Sequence, residues 1–447
     1  MFFFNRLIRL TPSQKDIFVI FAHRAWQAVS GLLTLVLITY YLSPIEQGYY
    51  YTLLSIAALY MAFDMGLSTA LVQFSAREFI GLYWNTSGEV QGGAKSRFLA
   101  LINLSFRWYG FLAIIFLLIY PAGIYFIDSG NDNPFNYDWH VPWLILVGST
   151  AVLLLSLPIL SIKEGSGQII EVYSLRLMQS VVGSIVVWIV LVNNGGLYAI
   201  AMVPLLSAII AIIWIFFRFR CALIQSLKIG NNNFNWNTEV WPLQWRFGTS
   251  WLSGYMLISM HTPLLFYMQG PIEAGQMGVT MTIANMLSML SLSWVTSKIP
   301  KMTKLASIKE WSKLDNVYWN VLFKSCAAYT LGAVIFFLLR LAFESSEYSN
   351  RFLPTIETAW LLVAMGFYHI SGIFSTYLRI HMKEPFLWLA IIGSTLTLIS
   401  AIFIVPQWGT MGVVVILTIV NALFFFPAVL LLWIYLRKKW HDKSYVT

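Results

Sequence analysis

Residues 17–48 read IFVIFAHRAWQAVSGLLTLVLITYYLSPIEQG. From Ile17 to Leu42 this is one long apolar run, closed by the turn-forming pair Ser43-Pro44. A helix crossing about 30 Å of hydrocarbon needs roughly 20 mostly apolar residues, and this run supplies them. The pattern then repeats to the end of the chain, with breakers at Asn193-Asn194-Gly195-Gly196, Gly270-Pro271 and Pro406-Gln407-Trp408-Gly409. It predicts spans at residues 17–42, 48–74, 99–126, 140–162, 168–192 and 197–217. A second set follows at 247–270, 274–297, 317–342, 355–378, 386–405 and 409–436. The fold class is therefore an all-α polytopic membrane protein with about twelve transmembrane helices.

Composition agrees. Of 447 residues, 58% are hydrophobic and only 11% charged, too few charges to cover a soluble surface. The net charge of +9 would suggest a nucleic-acid partner in a soluble protein. Here the basic residues sit between apolar runs, where they orient the chain in a bilayer with an anionic inner leaflet. Cys221 falls in a basic loop and Cys326 in an apolar run, so neither a disulfide framework nor a metal cluster is expected. No small-residue cleavage site follows the first apolar run, and no cleavable leader is expected. Thr11-Pro12-Ser13-Gln14 instead reads as a capped helix start.

The positions of Lys and Arg set the orientation. Of 28, 22 fall at the amino-terminal side of the membrane or in segments returning to it, such as Arg77, Lys95 and Arg97, or Lys298 to Lys313. Only Arg340 and Arg351 fall on the opposite side, and four lie inside spans. An odd number of spans would scramble this segregation, so both termini are expected in the cytoplasm of a cell whose inner membrane holds the protein.

The chain also repeats itself. Pro44-Ile45-Glu46-Gln47-Gly48 joins the first two spans, and Pro271-Ile272-Glu273-Ala274-Gly275 joins the seventh and eighth. Ile56-Ala57 and Ile283-Ala284 keep the same offset. The sixth and twelfth spans each start after a glycine-bearing turn and end in a basic run. This predicts two six-helix lobes in parallel orientation: residues 1–217, a connecting loop at 218–246, and residues 247–447 with a basic tail. Such repeats characterise secondary transporters, whose substrate site lies between the halves.

Four cations fall within spans: Arg24, Arg107, Arg176 and Lys324. Each lies on a helix rising from the cytoplasmic side, about 10–13 Å below its boundary at 1.5 Å per residue. Each is costly there, roughly 2.5–3.5 kcal/mol at a helix centre and less near the interface. One reading is snorkelling, the long side chains reaching back to the headgroups. The other is a cationic vestibule that receives an anion, since arginine forks grip phosphate oxygens bidentately. The polar neighbours His23, Gln27, Ser105, Gln179 and Ser180 favour faces lining water. Asp64 lies 19 residues after Ile45 and Arg24 21 before it, so the two are level and are expected to pair. His261 with Pro263 marks a kink or hinge in the seventh span, and His369 sits mid-span in the tenth. Both histidines read first as hydrogen-bonded packing residues and second as proton carriers. The Trp and Tyr residues fall largely at interfaces, as an aromatic belt does.

Absent motifs narrow the class. There is no GxxxxGK[ST] phosphate loop, no HExxH and no paired-cysteine motif, so no cofactor or metal is called for. The largest external segment, Asp128 to Asp138, is too short for a catalytic domain.

Tyr40-Tyr41-Leu42-Ser43-Pro44-Ile45-Glu46-Gln47-Gly48-Tyr49-Tyr50, followed by Phe63-Asp64-Met65-Gly66-Leu67-Ser68, resembles the amino-terminal signature of Wzx-type polysaccharide flippases. These belong to the superfamily that also holds the MATE drug exporters and the lipid II flippase. The likeness is strongest over residues 20–80, and the length and span layout extend it along the chain. It implies two lobes around a cationic cavity and transport, not enzymatic chemistry. The cargo would be an undecaprenyl-diphosphate-linked oligosaccharide, an O-antigen or related unit for lipopolysaccharide or surface polysaccharide biosynthesis. Arg24 corresponds loosely to a first-helix arginine of the lipid II flippase type. A polysaccharide polymerase or ligase would be the protein partner. Two other readings stay open: a MATE-type drug or metabolite exporter, and a membrane glycan ligase or polymerase. The first should bury carboxylates in excess, whereas Asp64 alone lies deep; the second should carry larger external loops.

Overall fold

The computed structural model describes residues 12–93, 95–130, 138–228, 236–381 and 386–441. Thr11 of the expected helix start and most of the Asp128–Asp138 segment lie outside them. The chain divides into two compact units, Met1–Leu252 and Ser253–Thr447.

The first unit begins with α1 (Pro12–Tyr41), α2 (Pro44–Ala57), α3 (Tyr60–Asp64) and α4 (Leu67–Glu78). A two-stranded antiparallel hairpin, β1 (Tyr83–Trp84) with β2 (Val90–Gln91), is the only sheet among the described residues. Then come α5 (Lys95–Leu117), α6 (Ile119–Ser129), α7 (His140–Gly165), α8 (Ile169–Val192) and α9 (Tyr198–Arg218). The short α10 (Arg220–Leu227) and α11 (Trp236–Glu239) occupy the expected connecting loop and lead into α12 (Trp241–Ile258). The second unit continues with α13 (His261–Met268), α14 (Pro271–Thr296), α15 (Ile299–Ser307) and α16 (Trp311–Ala342). It closes with α17 (Thr355–Arg379), α18 (Leu387–Ile419), a π-helical turn at Val420–Phe425 and α19 (Phe426–His441).

Ten helical runs among the described residues are long and apolar enough to cross a membrane. The last, Leu387–His441, has 55 residues, about 80 Å if straight. That is more than twice the hydrocarbon thickness of about 30 Å. The run bends at Gly409, whose φ of 52° and ψ of −134° are not helical, and so holds two of the expected spans. The broken pair α12–α13 covers the remaining expected span, at 247–270, and the helices account for all twelve.

The two matching pentapeptides do the same local work. Pro44 and Pro271 each stand in the first turn of a helix, where a missing N–H costs nothing. Ser43 and Glu46 form a reciprocal capping box: the Glu46 amide donates to Ser43 Oγ at 3.2 Å and the Ser43 amide to Glu46 Oε2 at 2.8 Å. In each unit this hairpin meets a left-handed glycine from the turn before a later span. Gly196 (φ 53°) lies against Glu46, where an added Cβ would come within 3.0 Å of the carboxylate. Gly409 (φ 52°) lies against Gln269, one residue before the second hairpin turn. Only glycine takes that backbone conformation at no steric cost.

Packing in the first unit is close enough to make single atoms matter. The carboxy-terminal end of α7 lies on α4 so tightly that a Cβ on Gly165 would fall 2.3 Å from the Val72 carbonyl oxygen. That atom is backbone and cannot rotate away. Gly148, on the same helix, has nothing within 4 Å of such a Cβ. Gly165→Ala should therefore destabilise the protein by about 1–3 kcal/mol through overpacking. Gly148→Ala should not lower the thermal unfolding midpoint in detergent, and that contrast is the measurement.

Candidate functional site

Six helices of the first unit build the site. Trp26 on α1 donates its indole N–H to Ser184 Oγ on α8 at 3.2 Å, and Trp188 on α8 donates to Thr34 Oγ1 on α1 at 2.8 Å. These reciprocal bonds fix the rotation of α1 against α8. His23 lies three residues before Trp26 and four before Gln27, so it neighbours both on the helix surface. Arg176, Gln179 and Ser180 follow on the matching face of α8, below Ser184 and Trp188. Gln179 then reaches α9, donating to the Ser207 carbonyl at 2.8 Å.

Among α1, α2, α3, α7, α8 and α9 lies a cavity of about 650 Å3. His23, Gln27, Arg176, Gln179, Ser180 and Ser207 line it from α1, α8 and α9, and Tyr50, Tyr60, Thr150 and Ser156 add polar groups from α2, α3 and α7. The Arg176 guanidinium pairs with Glu164 Oε2 at 3.2 Å and lies 4.9 Å from the centre of the Tyr173 ring. Tyr173 donates its hydroxyl to the other Glu164 oxygen at 3.2 Å and meets the His23 ring edge-on at 6.0 Å. Arg24 and Arg176 both lie close enough to act electrostatically on His23 and Tyr173. His23 Nδ1 is buried without a hydrogen-bond partner. Glu164 and Tyr173 went unread in the sequence, although Tyr173 stands three residues before Arg176 on one helical face. Glu164 comes within reach only through the turn that folds α8 back on α7.

Further ion pairs anchor the same end of the unit. Lys163, 4% exposed, meets Glu171 at 3.4 Å and lies 4.0 Å over the Trp84 ring of the hairpin. Arg218 approaches the other Glu171 oxygen at 3.8 Å. Arg97 bridges Glu78 and Glu239, tying α11 to α4 and α5.

The expected Arg24–Asp64 pair does not form. Asp64, 8% exposed, accepts from the Tyr109 hydroxyl on α5 and from Ser68 Oγ at 2.8 Å, and the Gly66 and Ser68 amides also bond it. The chain turns there through Met65 (φ 51°) and Gly66 (φ 63°), both left-handed, so Asp64 caps the amino end of α4. Equal depth did not make neighbours because α1 packs along α8 while Asp64 faces α5. Ser105, expected to line water, is fully buried and bonds the Leu101 carbonyl of its own helix at 2.6 Å.

Arg24, Arg107 and Lys324 are exposed, and no ion pair engages them among the described residues. Lys324, in the second unit, lies 5.7 Å from the Trp294 ring centre. His261, 3% exposed, sits just after the helix break at Ser259–Met260, with Pro263 in the first turn of α13. Its Nε2 is 3.0 Å from the Leu257 carbonyl, which can only accept, so that nitrogen carries the proton. His369, 1% exposed, lies between Ser288 Oγ on Nδ1 and Ser325 Oγ on Nε2, both at 3.0 Å. Ser325 gives its proton to the Ser291 carbonyl, so it accepts from Nε2 and Ser288 donates to Nδ1. A neutral ring satisfies every bond in that chain. The Tyr329 ring stacks on it at 5.0 Å.

The fold recurs in solved structures at low identity. A crystal structure of MATE in the bent conformation aligns over 98% of this chain and 99% of its own, at 15% identity and a TM-score of 0.56. A MOP superfamily transporter from Pyrococcus furiosus, described by the reverse polarity of its binding pocket, aligns over 97% of both chains at 13% identity and a TM-score of 0.56. The lipid II flippase MurJ, in an inward closed conformation, aligns over 93% of this chain and 87% of its own at 14% identity and a TM-score of 0.61. No family model matches the chain, and no curated protein sequence does. The chain has the multi-pass helical fold of the MATE and MurJ transporters.

The Asp64 geometry predicts its own test. Tyr109→Phe and Asp64→Asn should show a coupling of at least about 1 kcal/mol in a stability cycle, as partners in one buried network do. Arg24→Ala with Asp64→Asn should add within about 0.5 kcal/mol. Unfolding of the three single and two double variants in detergent measures both.

Proposed function

We propose that this protein is a flippase that carries an undecaprenyl-diphosphate-linked oligosaccharide from the cytoplasmic to the periplasmic leaflet of the inner membrane. O-antigen or a related surface-polysaccharide unit is the cargo class, and both termini lie in the cytoplasm. The observation that carries this reading is the gathering of Arg24 and Arg176 around His23, with Glu164 the one carboxylate paired there. A cation left over at membrane depth is costly unless an anion compensates it. A diphosphate is such an anion, and the arginine fork suits its oxygens. Arg107 and Lys324 are exposed and have no ion pair among the described residues. The likeness of fold to a lipid flippase and to MATE transporters supports transport as the class of activity.

The energetics need no nucleotide. A cell interior is negative, so moving negative charge outward is favourable by about 2.3 kcal/mol per charge per 100 mV. Consumption of the product in the outer leaflet by a polymerase or ligase would draw the cargo the same way. Capture needs the cations to hold the head group while the lipid chain stays in an apolar environment.

Losing one charge-assisted contact to a phosphate costs about 1.5–3 kcal/mol. Arg24→Gln and Arg176→Gln should therefore each lower export of lipid-linked glycan by about tenfold or more, at unchanged protein level in the membrane. Arg24→Lys should fall between, keeping the charge and losing the fork. Wild-type export in both Gln variants would contradict capture by these cations and leave snorkelling as their role.

A further inference from the structure

The cavity of the first unit takes its imidazole and guanidinium groups from α1 and α8. On α2, α3 and α7 it is lined largely by apolar side chains, Leu54, Ala57, Met61, Leu153 and Leu157, with Tyr50, Tyr60, Thr150 and Ser156 among them. Its volume of about 650 Å3 is that of a ligand site, well above a packing void. His23 Nδ1 is buried and lacks a partner, and Arg24 and Arg176 outnumber Glu164. A buried polar atom without a partner costs free energy that a bound group can recover. The ligand that fits such a space has an anionic head and a single long apolar tail.

We propose that this cavity, inside the amino-terminal unit alone, seats the phosphate-proximal isoprene units of a prenyl diphosphate. The diphosphate lies at His23, Arg24 and Arg176, and the chain lies along α2, α3 and α7. The choice of a prenyl chain over another lipid rests on the flippase reading; the shape of the ligand rests on the cavity. One chain enters such a volume, whereas a membrane phospholipid brings two. Gln179, held by the Ser207 carbonyl, and Gln27 mark the boundary between head and tail. The unit thus grips the lipid of the cargo and contacts no sugar there, so recognition of the lipid is independent of the glycan.

The test uses full-length protein in phosphatidylcholine nanodiscs and a photoreactive C15 prenyl diphosphate that carries no sugar. Crosslinks should map to residues 54–61 and 153–157. Leu153→Trp and Leu54→Trp, which narrow the tail path, and Arg176→Gln should each reduce labelling by about tenfold. Lysophosphatidate should compete poorly and unlabelled prenyl diphosphate well. Crosslinks confined to other helices of the folded wild-type protein would overturn the proposal without any variant. So would undiminished labelling of both Trp variants, or equal competition by lysophosphatidate. The two readings separate cleanly. Labelling that maps to this cavity, in a protein whose loss leaves lipid-linked glycan export unchanged, would sink the flippase reading and keep the site. Lost export without labelling here would do the reverse.

Discussion

A helix that breaks inside hydrocarbon leaves carbonyls and amides with no water to bond, and most of this structure follows from how each break is satisfied. In the second span the chain turns through Met65 and Gly66, and the Asp64 carboxylate takes the amides of the next helix. In the seventh, His261 bonds the Leu257 carbonyl, whose regular partner would have been the His261 amide. At Gly409, Gln269 donates to the carbonyls of Val405 and Pro406 at 2.9 and 3.3 Å, which the lost turn had left free. Each of these three breaks has a polar side chain assigned to it. Asp64 and His261 therefore read as structural groups, and the cations without such duties stand out as available for a ligand.

The spans and the hairpins are legible because their signals are local. Apolar length, Pro in a first turn and Gly in a left-handed turn need no partner to be read. The Pro44 and Pro271 hairpins carry the same duty in both units, down to the glycine that meets each of them. What stayed illegible was rotation. Depth along a helix can be counted from sequence, and it placed Arg24 level with Asp64. Which way a helix faces depends on its neighbour, and α1 is turned towards α8 by Trp26 and Trp188. His23, Gln27, Gln179 and Ser180 were picked out as polar and do line one cavity, while Ser105 was picked out on the same ground and is spent on its own helix. Glu164 is not legible in the sequence because only the turn between α7 and α8 brings it to Arg176.

The charged residues thus divide by partner. Lys163, Glu171 and Arg218, and likewise Arg97, Glu78 and Glu239, are engaged with one another at one end of the first unit. In the second unit Asp315 holds Arg437 and accepts the Tyr377 hydroxyl at 2.6 Å, fastening α19 to α16 and α17. These groups stabilise ends of helices. Arg24, Arg107 and Lys324 have no such engagement, and Arg176 shares a single carboxylate. Arg24, next to His23 and a first-unit cavity lined largely by apolar side chains, is the cation that an anionic lipid head group and its chain would complete.

The most direct measurement is the leaflet distribution of lipid-linked glycan in cells lacking this protein. The account predicts that diphosphate-linked oligosaccharide accumulates on the cytoplasmic side and that restoring the protein clears it. An unchanged pool together with altered sensitivity to cationic drugs, or a pool that builds up on the periplasmic side instead, would contradict it.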